Sequence, residues 1–208
     1  MERFRPRFER HRLDTPDTLA EFLRTRSSYV AQTALYGYLK TRMGTSYRNY
    51  FEDDTFSASI RTAAQKLFLS CLADLTVFAA ALSERDGALP RGGAVALALR
   101  CFRQAAEHSL SEAGAGPVPA DTLEQFALRV RAIDWAAAAE GRHAFAGSEA
   151  DLVRFAPVID EYKALDREIV TNSIRFRWRD VRDQLRRRLD APALGGAMRQ
   201  DGAAASDC

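Results

Sequence analysis

The stretch YVAQTALYGYLKTRMG runs from Tyr29 to Gly44, and the fold turns on how it is read. Wound as a helix at ~100° per residue, it puts Tyr29, Gln32, Tyr36, Leu39 and Met43 on one stripe, and Val30, Ala34, Gly37 and Thr41 on a second. Ala31, Leu35 and Tyr38 fill the gap. A helix with no clear water-facing side is a buried one, so this stretch is expected at the centre of a helical fold. The small side chains of the second stripe let another helix come close.

Upstream, Thr15 is placed to cap a helix and Pro16 suits its first position, with Leu19, Phe22, Leu23 and Val30 repeating at helical spacing. Ser27 and Ser28 leave a bend open, and Gly44 ends the unit. Residues 45–54 read as a loop carrying Tyr47, Tyr50 and Phe51, with Asp54 as the next cap. From Phe56 through Ile60, Leu67, Cys71, Leu75, Phe78 and Leu82 one broad apolar face holds for about seven turns. Its least charged part, Leu67 to Ser83, contains Asp74 near the middle, where a charge costs roughly 2.5–3.5 kcal/mol in a bilayer, so it reads as core.

GALPRGG (87–93) breaks that helix, and a third is expected over 94–112. Asp121 followed by Glu124 resembles a capping box for a fourth, running through Trp135 to Glu140. Ser148 can cap a short turn at 149–155, and the last and longest helix runs from Pro157 to about Leu189. No alternating, β-branched run interrupts this pattern. The expected fold is all-α, a single-domain bundle of five to seven helices over 14–190, with a basic arm at 1–13 and a disordered tail at 191–208.

The last helix changes face. Val158, Tyr162, Leu165, Ile169 and Phe176 form one stripe, whereas Val170, Ile174, Trp178, Val181, Leu185 and Leu189 form another more than ~90° away. The switch falls at Thr171 to Ser173. Either the helix breaks there, or it stays straight and its two stripes meet different surroundings, with the second half projecting toward a partner.

The formal net charge of +2 hides an uneven distribution. Residues 1–12 carry +3 and residues 175–188 carry +5, which leaves about −6 for the rest. Arg175, Arg179, Arg182 and Arg186 align beside Trp178, an arrangement suited to carboxylates, phosphates or an anionic lipid surface. The plainer alternative is a solvated face whose charges pair locally. Charge reversal at Arg179 and Arg182 is expected to weaken a partner without lowering the melting temperature. In the arm, Phe4 and Phe8 interleave with arginines, as in peripheral membrane segments.

Asp74 is a candidate buried polar residue, either an acid with a raised pKa or the partner of a core arginine or tyrosine. Neither a metal site nor a cofactor is expected, because His11, His108 and His143 are scattered and Glu140 with His143 gives a single ExxH. No GxSxG elbow, Gly-rich phosphate loop or sequence-specific nucleic-acid module is present. Cys71, Cys101 and Cys208 are widely spaced, which suits a reducing compartment, and the first residues lack the apolar core of a signal peptide.

YVAQTALYGYLKTRMG, FEDD (51–54), RFAPVIDEYKALDREIV (154–170) and NSIRFRWRDVR (172–182) resemble a group of uncharacterised bacterial helical proteins, some of which bear the name esterase. The resemblance covers about residues 14–190, carries over no catalytic residue, and implies an ester hydrolase with an atypical site. From the residues themselves the expected function is a cytoplasmic, non-enzymatic helical interaction protein, an adaptor or assembly factor, peripheral at the inner membrane if its partner is lipid. Its partner would be an acidic protein or an anionic lipid surface, with homo-oligomerisation left open. A lipid or quinone held in a helical cavity between the central stretch and the helix from Phe56 is a further alternative.

Overall fold

The computed structural model describes residues 12–44 and 53–206. The arm as far as His11, with Phe4 and Phe8, and the aromatic segment at 45–52 lie outside the described residues. The described residues form eight helices and no strand: α1 (Pro16–Met43), α2 (Asp54–Arg85), α3 (Arg91–Glu112), α4 (Ala120–Ala132), α5 (Trp135–Ala139), α6 (Ala146–Phe155), α7 (Asp160–Arg188) and α8 (Ala191–Ser206).

The start of α1 follows the sequence closely. Thr15 Oγ1 accepts from the Thr18 amide at 3.2 Å, the Thr18 hydroxyl reciprocates to the Thr15 amide at 3.1 Å, and Pro16 occupies the first turn. The helix runs unbroken through Ser27, which is buried, and stops at Gly44, whose φ of 56° suits a residue without a Cβ. For α2 the cap is Asp53 rather than Asp54: its carboxylate accepts from the Phe56 amide at 3.0 Å.

Burial is arranged differently from the expectation in one respect. In the central stretch Val30, Ala31, Ala34, Leu35 and Leu39 are buried, yet Tyr29 and Gln32 are exposed, Gln32 on the wall of a cleft between α1 and α2. The helix without a water face is instead the second half of α2, where every residue from Asp74 to Ser83 is buried. Leu67 to Ser83 is therefore core, as its composition suggests. Around it α1, α3, α5, α6 and α8 all touch α2, while α7 packs mainly against α6 and α1.

Two features raise the helix count above five to seven. The expected fourth helix splits at Ile133, because the Asp134 carboxylate accepts from the Ala137 amide and starts α5 afresh. The tail is also not disordered: residues 191–206 form α8, with Ala191 and Leu194 buried and Gly195 close against the Ala88 carbonyl. Leu13 is tied to the same place, since its amide donates to the Arg188 carbonyl at 2.9 Å and its carbonyl accepts from the Asp190 amide at 3.1 Å.

Candidate functional site

One continuous helix carries both apolar stripes of the final segment. At 1.5 Å per residue the 29 residues of α7 span ~43 Å without a break at Thr171 to Ser173. Val170, Ile174, Trp178, Val181 and Leu185 face inward and are buried. The other stripe faces out: Leu165 is 75% exposed, Ile169 71% and Phe176 74%, with Tyr162 and Ile159 beside them. The second half is thus the buried half, which corrects its expected projection toward a partner. The exposed apolar surface lies along the first stripe.

Trp178, expected among the partner-binding residues, belongs to the core. It is 1% exposed, its ring leans on Phe145 at 4.8 Å, and its Nε1–H donates to Ser148 Oγ at 3.0 Å. A buried indole keeps such a position when its one donor finds an acceptor.

The arginine stripe divides among local partners. Arg175 makes two parallel bonds to the Glu149 carboxylate, at 2.8 and 2.7 Å. Arg182 lies over the rings of Phe78 and Phe145, at 5.3 and 5.5 Å, and donates from Nη2 to the Glu140 carbonyl at 3.1 Å. Burial, reinforced by the charge of Arg186, holds its pKa below the usual value. Arg186 sits over Phe78 at 5.2 Å and 3.7 Å from Asp183. Arg179 is exposed, with no partner among the described residues. The expectation that reversal at both Arg179 and Arg182 leaves the melting temperature intact therefore fails on geometry for Arg182, whose charge is built into the core edge.

Asp74 proves to be the partner of an arginine. Fully buried on α2, its Oδ2 accepts from the Ser148 amide at 2.7 Å, at the first turn of α6 where free amides need an acceptor. Its Oδ1 stands 2.6 Å from Arg129 Nη2, which itself donates to the Ala144 carbonyl at 2.8 Å. Burial pushes the Asp74 carboxyl up to about 6, opposed by Arg129 and by the Ser148 bonds. Gly147 leaves room for this carboxylate, since a Cβ there would stand 2.8 Å from Oδ1. Ser148 thus receives from Trp178, gives its amide to Asp74 and its hydroxyl to the Phe145 carbonyl at 3.2 Å. The geometry joins α2, α4, α6 and α7, and it is a fastening rather than an exposed acid.

Three of the clefts among the described residues lie between helices. One of about 520 Å³ opens between α1 and α2, lined by Gln32, Tyr36, Arg61, Gln65 and Phe68 among others, where the sequence suggests a lipid or quinone cavity. A second, about 310 Å³, runs along α2 between Lys66, Phe126 and Phe155, and there Ser70 is hydrogen-bonded to Asp151. The third, about 290 Å³, lies between α1 and α7 beside Ile169. On its wall Arg42 grips Asp166 through two nitrogens, and Tyr38 donates to the same carboxylate at 3.0 Å. Arg42 holds the Asp166 carboxyl below its usual range, while burial and that carboxylate push the Tyr38 phenol up to about 12.

Among the described residues no three metal-ligating side chains come together, and His143, near Glu140, occupies a turn with φ of 58°. Comparison with protein-family models, with curated proteins and with solved structures finds no match to this chain.

Proposed function

We propose that the chain is a non-enzymatic helical interaction protein, an adaptor or assembly factor, and that its docking face is the outward side of α7. The observation that carries this reading is the concentration of exposed apolar surface: of seven large exposed hydrophobic residues among the described residues, Ile159, Tyr162, Leu165, Ile169 and Phe176 lie on or just before this one helix. Contiguous apolar ridges rimmed by charge are typical of protein docking sites. Arg175 and Arg179 flank the C-terminal end of the ridge, so an acidic helical segment of a protein is the partner class it suits. Glu161 and Glu168 flank the other end, which argues against an anionic membrane as the main partner. We treat the helices as one domain because their buried apolar residues form a continuous cluster, and we infer a reducing, cytoplasmic setting from the free, buried thiols of Cys71 and Cys101.

Affinity capture from membrane and soluble fractions of the native cell, with wild type beside an Ile169→Asp, Phe176→Asp chain, tests the reading. A protein held by wild type and released by the variant at unchanged melting temperature is expected. Equal capture by both would refute it. Binding to anionic vesicles alone would exchange the partner class. Labelling of a single serine by an esterase probe, with p-nitrophenyl ester turnover, would overturn the non-enzymatic reading. The cleft between α1 and α2 supports a second reading, a lipid or quinone ligand, for which a co-purified small molecule is the decisive finding.

A further inference from the structure

The outward face of α7 repeats every seven residues. Tyr162, Ile169 and Phe176 occupy one position of the repeat, and Leu165, Asn172 and Arg179 the position three residues further on. All six are exposed, along ~26 Å of helix. Immediately before the first set stand Glu161, Glu168 and Arg175, also exposed. Charge along this edge therefore changes sign between Glu168 and Arg175.

We propose that α7 pairs antiparallel with α7 of a second copy of this chain, about a two-fold axis between Ile169 and Asn172. The inference rests on the reading of this face as the docking surface, and it names the acidic partner: the first half of the same helix in another molecule. In an antiparallel pair the two seam positions alternate across the axis, so Leu165 faces Phe176 of the other copy, Ile169 faces Asn172, and Tyr162 faces Arg179. The edge residues then meet as Glu168 against Arg175, twice by symmetry. A parallel pair would set acidic half beside acidic half and basic half beside basic half, so charge complementarity selects the antiparallel one. A copy of this chain is the occupant that satisfies both ends of the ridge at once. The cleft between α1 and α7 opens beside Ile169 and gives an incoming side chain a recess. One helix per copy covers less than the ~800 Å² per partner of a standard interface, so the pair is weak and depends on concentration.

Light scattering of the full chain over a wide concentration range is expected to show a mass rising toward twice 23.2 kDa. Ile169→Asp should hold it at the single mass. Glu168→Arg alone and Arg175→Glu alone should each weaken pairing at least tenfold, and mixing the two chains should restore it, because each then finds its opposite charge across the axis. Because Arg175 also binds Glu149, a disulfide test avoids that residue. In a Cys208→Ser background, Leu165→Cys mixed with Phe176→Cys should yield the mixed disulfide far faster than either chain links to itself. Leu165→Cys linking to itself instead would overturn the antiparallel arrangement. A single mass at every concentration with no mixed disulfide would overturn the second copy as partner, and capture of a different protein by the same ridge would then still uphold α7 as the docking face. Ile169→Asp changing neither mass nor capture would defeat both.

Discussion

Arg182→Gln and Arg179→Gln, three residues apart on one helix, should give sharply different stabilities. The Arg182 guanidinium lies over two rings, at 5.3 Å from Phe78 and 5.5 Å from Phe145, and each such contact is worth about 1 kcal/mol when partly shielded from water. Its bond to the Glu140 carbonyl, 3.1 Å long and made by a charged donor, adds about 1.5–3 kcal/mol. Against these, Arg182 Nε is buried with no partner, an orphaned donor that costs about 1–3 kcal/mol and that glutamine does not bring. The net loss expected for Arg182→Gln is about 2 kcal/mol, which for a chain of this size lowers the melting temperature by about 4–8 °C. Arg179 is exposed and makes no hydrogen bond or ion pair among the described residues, so its replacement stays within about 0.5 kcal/mol of wild type. Thermal unfolding followed by far-ultraviolet circular dichroism reads both. A coupling adds a second check: Gly141 lies against the Arg182 guanidinium, with no room for a Cβ, so Gly141→Ala should cost less in the Arg182→Gln background than in wild type. Equal melting temperatures for the two single variants would refute the account of Arg182 as part of the core edge.

The Asp74 network predicts a pH dependence. Burial holds the folded-state value at about 6 against an ordinary 3.8, so the folded chain keeps this proton to higher pH than the unfolded chain does. The stability it contributes is fully present below about 4 and is lost as the pH rises toward 6, by about 3 kcal/mol; Asp74→Asn should remove that slope from urea titrations in this window. Ser148→Ala strips the Trp178 indole of its acceptor and should cost about 1–3 kcal/mol, with a shift in tryptophan emission. Gly195→Ala drives a methyl into the Ala88 carbonyl and should unseat α8, read as faster amide exchange at Ala193 and Leu194 with the α1 amides unchanged.

The start of α1 was legible in the chain from its capping side chain, Thr15, and that of α2 was displaced by one because two acids compete, Asp53 and Asp54. The split between α4 and α5 was missed because Asp134 sits inside a continuous apolar period, and its capping role depends on backbone geometry that periodicity does not encode. The tail was misjudged for a related reason. Its order comes from Leu194 and Gly195 seated against α2 and the turn after it, so α8 owes its place to tertiary contact rather than to its own alanine- and glycine-rich pattern. Of the Asp74 network, the carboxylate was visible as an anomaly on an apolar face. Arg129, 55 positions away on another helix, gave no comparable signal.

The final helix shows most sharply where sequence reading ends. Two apolar stripes on one helix are equally apolar to a helical wheel, and nothing in their composition says which is inside. The structure decides through polar partners: the inner stripe contains Trp178, whose indole has an acceptor waiting on α6, and is flanked by Arg182, whose charge has two rings and a carbonyl. Among the described residues the stripe holding Leu165, Ile169 and Phe176 has one such anchor, at its start, where Arg42 lies over the Tyr162 ring at 4.8 Å. A ~43 Å helix that stays straight cannot bury both stripes against a body that lies on one side of it. The outer stripe must then be covered by something else or remain an aggregation liability. Its seven-residue repeat and its change of charge from Glu168 to Arg175 are the properties expected of a surface shaped to meet a helix of opposite polarity.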